Sequence, residues 1–185
     1  YAHEATQYGC SSVSTIISDV STLATTLANV SVTCIKLAPI VFHLTQTLEI
    51  LAGAGSVSSG NARHLAIVGS GGRATLDGGS TRRILTITKQ DPAASDGWTD
   101  VAFFNLKLQN GKVSGTSGGA FHSGAFHEGK LTFTECVFWR NRETDTSGSG
   151  GAIYYAPRAS TSSGYSAHGT NDLILNSCTL EENAA

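Results

Sequence analysis

The sequence lacks Met altogether, has only 3 Pro among 185 residues, and carries charge on only 14% of them, against roughly 25% in an average soluble domain. Lys and Arg never cluster beyond Arg82-Arg83, and the formal net charge is −2. That leaves no electrostatic footprint for a nucleic-acid backbone or an acidic membrane. No apolar run reaches the about 20 residues needed to cross a bilayer. The longest, from Ile35 to Leu44, is interrupted by Lys36, Pro39 and His43. The four cysteines, Cys10, Cys34, Cys136 and Cys178, include no C-x-x-C pair, so a zinc site or a thioredoxin-like pair has no support. Scarce charge does not imply disorder, because 40% of the residues are hydrophobic and a chain of this length can bury them in one core. A chain that begins at Tyr1 and lacks Met fits a precursor from which a secretory signal has been removed.

What is present falls into two parts. Val13, Ile16, Ile17, Val20, Leu23, Ala24 and Leu27 recur at spacings of three and four, the period of an amphipathic helix. The β-branched content delays its start, so a helix is predicted at about 19 to 28 with Ser18 or Asp19 as its cap. Residues 1–31 form an N-terminal segment with this cap helix. From Val32 the apolar period becomes two: Val32, Cys34, Ile35 and Leu37, then Val41, Phe42 and Leu44, then Leu48 and Ile50. Later segments alternate in the same way between Gly-rich corners, and none has a helical period. Strands do not alternate with helices, which excludes a βαβ fold and leaves an all-β class.

Internal repetition selects the architecture. Residues Leu131 to Asn141 align without gaps to Leu173 to Asn183, and Val101 to Asn110 is a shorter copy. Gly118-Gly119-Ala120-Phe121 recurs as Gly150-Gly151-Ala152-Ile153. The longer interval in the last copy is an insertion around Pro157 to His168, a loop thrown out from one turn. Short strands repeated at this interval predict a right-handed, single-stranded parallel β-helix over 32–185, its coils stacked at about 4.8 Å. Leu131, Phe133, Cys136 and Phe138 point inward onto Leu173, Leu175, Cys178 and Leu180 in that arrangement. Asn141 and Asn183 end their strands and form a turn ladder of stacked amides.

The pairing of Gly-Gly-Ala-Phe/Ile with Phe138-x-x-Asn141 and Leu180-x-x-Asn183 resembles the repeats of polymorphic outer-membrane proteins and the wider pectin-lyase-like group. The segments from Ile35 to Ile50 and from Leu65 to Gly79 look like opening coils of that superfamily. The resemblance implies that the helix near 19–28 caps the N-terminal mouth. It does not imply an activity, since this scaffold carries lyases, hydrolases, adhesins and structural filaments.

Glycan cleavage on such a scaffold needs clustered carboxylates, or acidic calcium ligands with a Lys or Arg base. No two acids recur at one phase of adjacent coils; Glu135 has Ser177 at its partner position. Asp77 reads as an Asx turn. His168-Gly169 resembles a dipeptide of pectin-degrading hydrolases but lacks their acidic neighbours. His122, His127 and Glu128 offer metal-ligand chemistry, yet no further spaced ligand accompanies them, and exposed imidazoles at a corner are the simpler reading. Trp98, Trp139, Tyr154, Tyr155 and Tyr165 are the aromatic candidates for a contact surface, with Trp139 and Tyr165 joined there by His122 and His127.

Cys10 and Cys34 flank the helix, and a bridge between them fastens the cap to the first coil. Cys136 and Cys178 are expected as stacked core cysteines with free thiols. Asn29-Val30-Ser31 is an N-glycosylation sequon. These residues predict a non-enzymatic, secreted or cell-surface module with no cofactor, a rigid scaffold presenting loops at about 88–100, 142–149 and 156–171 to partner proteins or glycans. The alternative is a polysaccharide lyase or glycoside hydrolase. The last copy ends in phase at Asn183-Ala184-Ala185, so the coils are expected to continue beyond the given C-terminus or to be covered by another subunit.

Overall fold

The computed structural model describes residues 10, 15–52, 63–89, 99–115, 117–123, 129–144, 150–156 and 172–185. Strand β1 (Ile16–Ile17) and helix α1 (Val20–Ala28) lead into β2 (Cys34–Leu37), β3 (Val41–His43) and β4 (Leu48–Ala52). The same path recurs as β5 (Arg63–Gly69), β6 (Ala74–Asp77) and β7 (Leu85–Lys89). A third circuit comprises β8 (Thr99–Phe104), β9 (Leu106–Gln109), β10 (Lys112–Val113) and β11 (Phe121–Ser123). The fourth is β12 (Leu131–Thr134), β13 (Val137–Trp139), β14 (Arg142–Glu143) and β15 (Ile153–Tyr155), and β16 (Leu173–Asn176) with β17 (Thr179–Glu181) begins a fifth.

Equivalent strands of successive circuits join in the same sheet. Sheet A runs β1-β2-β5-β8-β12-β16, sheet B runs β3-β6-β9-β13-β17, sheet C runs β4-β7-β11-β15, and β10 pairs with β14. All these pairings are parallel. The protein is therefore mostly β, built from parallel sheets, with one helix among the described residues. No helix there is long and apolar enough to cross a membrane.

Register places like residues in columns. Leu65, Val101, Leu131 and Leu173 are successive partners in sheet A, as are Ile67, Phe103, Phe133 and Leu175. Leu76, Leu108, Phe138 and Leu180 form the matching column in sheet B. Because side chains alternate across a strand, these columns all face inward. Phe103 and Phe133 stack with ring centroids 4.6 Å apart, and Phe121 from sheet C meets both edge-on. Stacked and edge-to-face geometry complements the ring quadrupoles.

Corners keep the ladder unbroken. Asn105, Glu135 and Ser177, between sheets A and B, all have φ between 51° and 55°, and their neighbouring amides still bond across circuits, as in Asn105 N–H to Thr134 O at 3.0 Å. A left-handed residue costs a side chain about 1–2 kcal/mol, and here the column repeats it to turn the chain without losing a bond. The Gly-Gly-Ala corner has two separate requirements. Gly118 and Gly150 have φ of 78° and 72°, while a Cβ on Gly119 would lie 2.5 Å from Gly151 O and 2.8 Å from Arg142 N.

Asp19 caps α1 by accepting the Thr22 N–H at 2.8 Å. Leu23 and Leu27, one turn apart, are buried, and α1 packs on β4. At its other end the buried Arg63 of β5 donates to Leu27 O at 3.1 Å, to Asn29 O at 3.0 Å and to Leu51 O. A cation is favoured at this helix terminus, where carbonyls lack intrahelical partners. Cys10 and Cys34 are disulfide-bonded with Cα atoms 5.2 Å apart. Cys34 faces outward, so the bridge brings Cys10 onto the outer side of sheet A, in a second apolar cluster with Ala66, Val68, Ala102 and Phe104.

Two of the expected presentation loops are shorter than their predicted bounds. Residues 88–89 and 99–100 belong to β7 and β8, and 142–143 form β14 against Lys112–Val113, because the parallel ladder extends past the apolar residues that marked it. The remaining parts, 90–98, 145–149 and 157–171, lie outside the described residues.

The glycine geometry gives a graded test. Gly71 has φ of 76° with nothing within 4 Å of its would-be Cβ, so Gly71→Ala is expected to cost about 1–2 kcal/mol. Gly119→Ala forces backbone apart as well, and its loss in denaturant unfolding is expected to exceed that of Gly71→Ala by more than about 1 kcal/mol.

Candidate functional site

Register aligns polar residues along the outward positions of sheets A and B. On sheet B, register aligns His43, Asp77, Gln109, Trp139 and Glu181. Asp77 ends β6 and accepts from Gly79 N–H at 2.8 Å, Gln109 Nε2 at 2.9 Å and Asn110 Nδ2 at 3.1 Å, with His43 Nδ1 at 3.8 Å. Burial raises its pKa, but the bonds from Gly79, Gln109 and Asn110 and the neighbouring His43 together hold it below the usual carboxylate value. The Asx-turn bond to Gly79 is present, and the same carboxylate also ties two successive circuits.

Trp139 is outward and partly buried. Lys107 Nζ lies 3.9 Å and Arg140 Cζ 4.1 Å from its ring centroid, within the range of cation–π attraction. Arg140 Nε donates to Glu182 at 2.6 Å. A bond from Arg140, then one from Trp139, lowers the pKa of Glu182. The indole is therefore occupied by side chains of its own and adjacent circuits, which reduces the ring face left for a sugar.

A second column opens sheet A. His64 and Asp100 are partners, and Lys130 and Asp172 immediately precede their aligned neighbours Leu131 and Leu173. His64 Nδ1 is 3.2 Å from Asp100 Oδ2, and Lys130 N–H donates to Asp100 Oδ1 at 2.8 Å. Asp100 thus meets the backbone of Lys130 and the ring of His64, whereas Glu182 forms a side-chain ion pair with Arg140. Arg140 and Glu182 are unlike residues set opposite each other by the register, so likeness between the copies does not mark the pair. Tyr155 donates to Gly129 O at 3.0 Å; burial, then the charges of Asp172 and Asp100, push its pKa up to about 12.

His122 stacks on Tyr154 with centroids 5.2 Å apart, and burial followed by the Arg83 charge lowers its pKa. His127, Glu128, Trp98, Tyr165 and His168 lie outside the described residues. Among the described residues no group of three or more His, Cys, Asp or Glu could hold a metal ion. Asn29 is exposed at the C-terminus of α1, its Oδ1 accepting Ser31 N–H at 3.0 Å. Asn141 is buried and bridges circuits: its Oδ1 accepts Gly111 N–H at 2.9 Å, and its Nδ2 donates to Leu108 O and Asn183 Oδ1, each at 3.0 Å. Asn183 in turn donates to Phe138 O at 3.0 Å. Cys136 and Cys178 are free thiols. Comparison with protein-family models, curated proteins and solved structures finds no match to this chain.

Asp77 sets a pH dependence. Its folded pKa lies below the unfolded value of about 3.9, so its contribution is complete above that value and is lost as pH falls through the folded one. In acid unfolding followed by circular dichroism, Asp77→Asn is expected to be less stable near neutrality and to lose less further stability below about pH 4 than the wild type. Parallel acid limbs in the two proteins would contradict this role.

Proposed function

We propose that the circuits are coils of a right-handed parallel β-helix of the pectin-lyase-like kind, and that the chain is a non-enzymatic scaffold, secreted or displayed at a cell surface. The observation that carries this reading is the use of outward polar groups as links between circuits. Asp77, Asp100 and Glu182 each bond to residues of a neighbouring circuit, a task that holds a rod together and engages the carboxylates that catalysis would need. Its contact surfaces take glycans or proteins through the insertions between strands. The Cys10–Cys34 bridge supports an oxidising compartment, and the exposed Asn29 sequon suits a glycoprotein.

One observation favours a polysaccharide lyase or hydrolase instead: on an outward face His64 Nδ1 lies 3.2 Å from Asp100 Oδ2. The two readings separate in an assay on neutral and uronate-rich polysaccharides. The scaffold reading expects no new reducing ends and no unsaturated product, with saturable binding to one or more glycans or surface proteins on an array. Product formation that disappears in Asp100→Asn would overturn it.

We also propose that the far end of the stack is covered by a further circuit, from a longer chain or from another subunit. Leu173, Leu175 and Leu180 are 38%, 41% and 51% exposed, while the residues before them in the same columns are buried. Among the described residues β15, β16 and β17 are the terminal strands of their sheets, and unpaired edges recruit strands. These 185 residues alone are expected to self-associate with rising concentration in sedimentation, and Leu175→Lys with Leu180→Lys is expected to suppress it. A wild type that stays monomeric would remove the case for a subunit contact.

A further inference from the structure

The adjacent cations Arg82 and Arg83 are divided by the fold. Arg83 turns into the Gly-Gly-Ala corner, where its Nε donates to Gly118 O at 3.0 Å and its Nη2 to Ser117 O at 2.7 Å, and the buried carboxylate of Glu143 is within electrostatic reach of it. Arg82 stays at the surface, its Nε and Nη2 both donating to Thr81 Oγ1, at 3.2 and 3.1 Å. The next circuit brings Lys112 beside it, since Lys112 N–H donates to Arg82 O at 2.9 Å. The circuit after that sets Arg142 opposite Lys112 in the β10–β14 pair. Lys112 and Arg142 are exposed, while the next residues, Val113 and Glu143, alternate away from them. Cations of three successive circuits, far apart in the sequence, thus meet along one corner strip.

Nothing in the fold neutralises this strip. On sheet B, by contrast, Arg140 pairs with Glu182, and Lys107 and Arg140 lie over the Trp139 ring. Among the described residues Arg82, Lys112 and Arg142 have no acidic partner. Like charges set on neighbouring strands repel, so the stack gains no stability from placing them together. An anion laid along the strip removes that repulsion.

The surroundings of the strip select the kind of anion. Exposed Ser80 and Ser114 flank it along the chain, and among the described residues it carries no exposed large apolar side chain. That disfavours an acidic protein, since the centre of a protein interface needs an aromatic or apolar anchor, and a single-stranded nucleic acid, whose bases need rings to stack on. Serine hydroxyls suit the hydroxyls of a sugar. A guanidinium takes an oxyanion through two N–H groups at once, and Lys112 adds a point charge. Sulfate esters project from a sugar ring on an oxygen link, and several can share one disaccharide, so a short segment supplies charge for all three cations. We propose that Arg82, Lys112 and Arg142 form a binding strip for a sulfated polysaccharide. The proposal rests on the reading of the chain as a scaffold that contacts glycans, and it gives that contact a place and a chemistry.

The test is a calorimetric titration of the full chain, its Cys10–Cys34 bridge intact, with a heparin oligosaccharide. Saturable binding is expected, its affinity falling on the order of 20-fold as salt rises from about 50 to about 200 mM, the loss that release of about three counterions gives. A wild type that does not bind overturns the proposal. Lys112→Gln with Arg142→Gln is expected to weaken binding by at least about tenfold. The charge-matched pair Lys107→Gln with Arg140→Gln is expected to stay close to the wild type. Equal losses in the two double variants mean that net charge alone is felt, and they overturn the site. Independently of any variant, the oligosaccharide must protect Lys112 from acetylation in peptide mapping, and an unchanged labelling rate overturns the strip. A desulfated oligosaccharide that binds as tightly, or single-stranded DNA or polyglutamate that binds more tightly, overturns the assignment to sulfate. The scaffold reading fails by a different result, cleavage of a polysaccharide into new reducing ends, which leaves the binding data for the strip standing.

Discussion

Parallel pairing of each strand with its counterpart one circuit later governs everything else in this protein. In such a ladder a shift of one residue would turn every inward side chain outward. The register from Arg63↔Thr99 to Thr134↔Asn176 is therefore held by the core columns as much as by the backbone. The Phe103–Phe133 stack exists because both residues have the same phase, and Phe121 reaches it from another sheet. The left-handed corners at Asn105, Glu135 and Ser177 bend the chain at one level so that the next circuit bends at the same place.

Polar residues follow the same logic. Asn141 satisfies a buried N–H and a buried carbonyl of the preceding circuit and meets Asn183 of the next, so burying its amide loses little hydrogen bonding. Asp77 gathers donors from the circuit after its own. On the outside, Lys107, Trp139, Arg140 and Glu182 connect three circuits through ring and ion contacts. Exposed pairs of this kind add little each. Their arrangement fixes which charges face solvent from one circuit to the next.

Much of this could be read from the sequence where a residue type repeats. Leu131 to Asn141 against Leu173 to Asn183 gave the pairing that the register shows, and the Leu23/Leu27 spacing located α1 within one residue. What the sequence hid were contacts between unlike residues. Arg63 reads as an ordinary charged residue beside a strand, and only the fold brings it under the last carbonyls of α1. His64, Asp100, Lys130 and Asp172 differ in type, so no repeated residue marks their column. Asn110, which ends the shorter copy, stands beside Arg140 in the register, and Gly111 takes the place opposite Asn141.

The Arg63 clasp also makes the cap dependent on a later part of the chain. Helix α1 and strand β4 belong to the start of the chain, yet the guanidinium that joins Leu27 O, Asn29 O and Leu51 O comes from β5, in the second circuit. A nine-residue helix is marginal in water by itself, so the cap owes its stability in part to a residue of the second circuit. The helix and the first two circuits are thereby one unit, in which loss of the second circuit would also release the first circuit's cap.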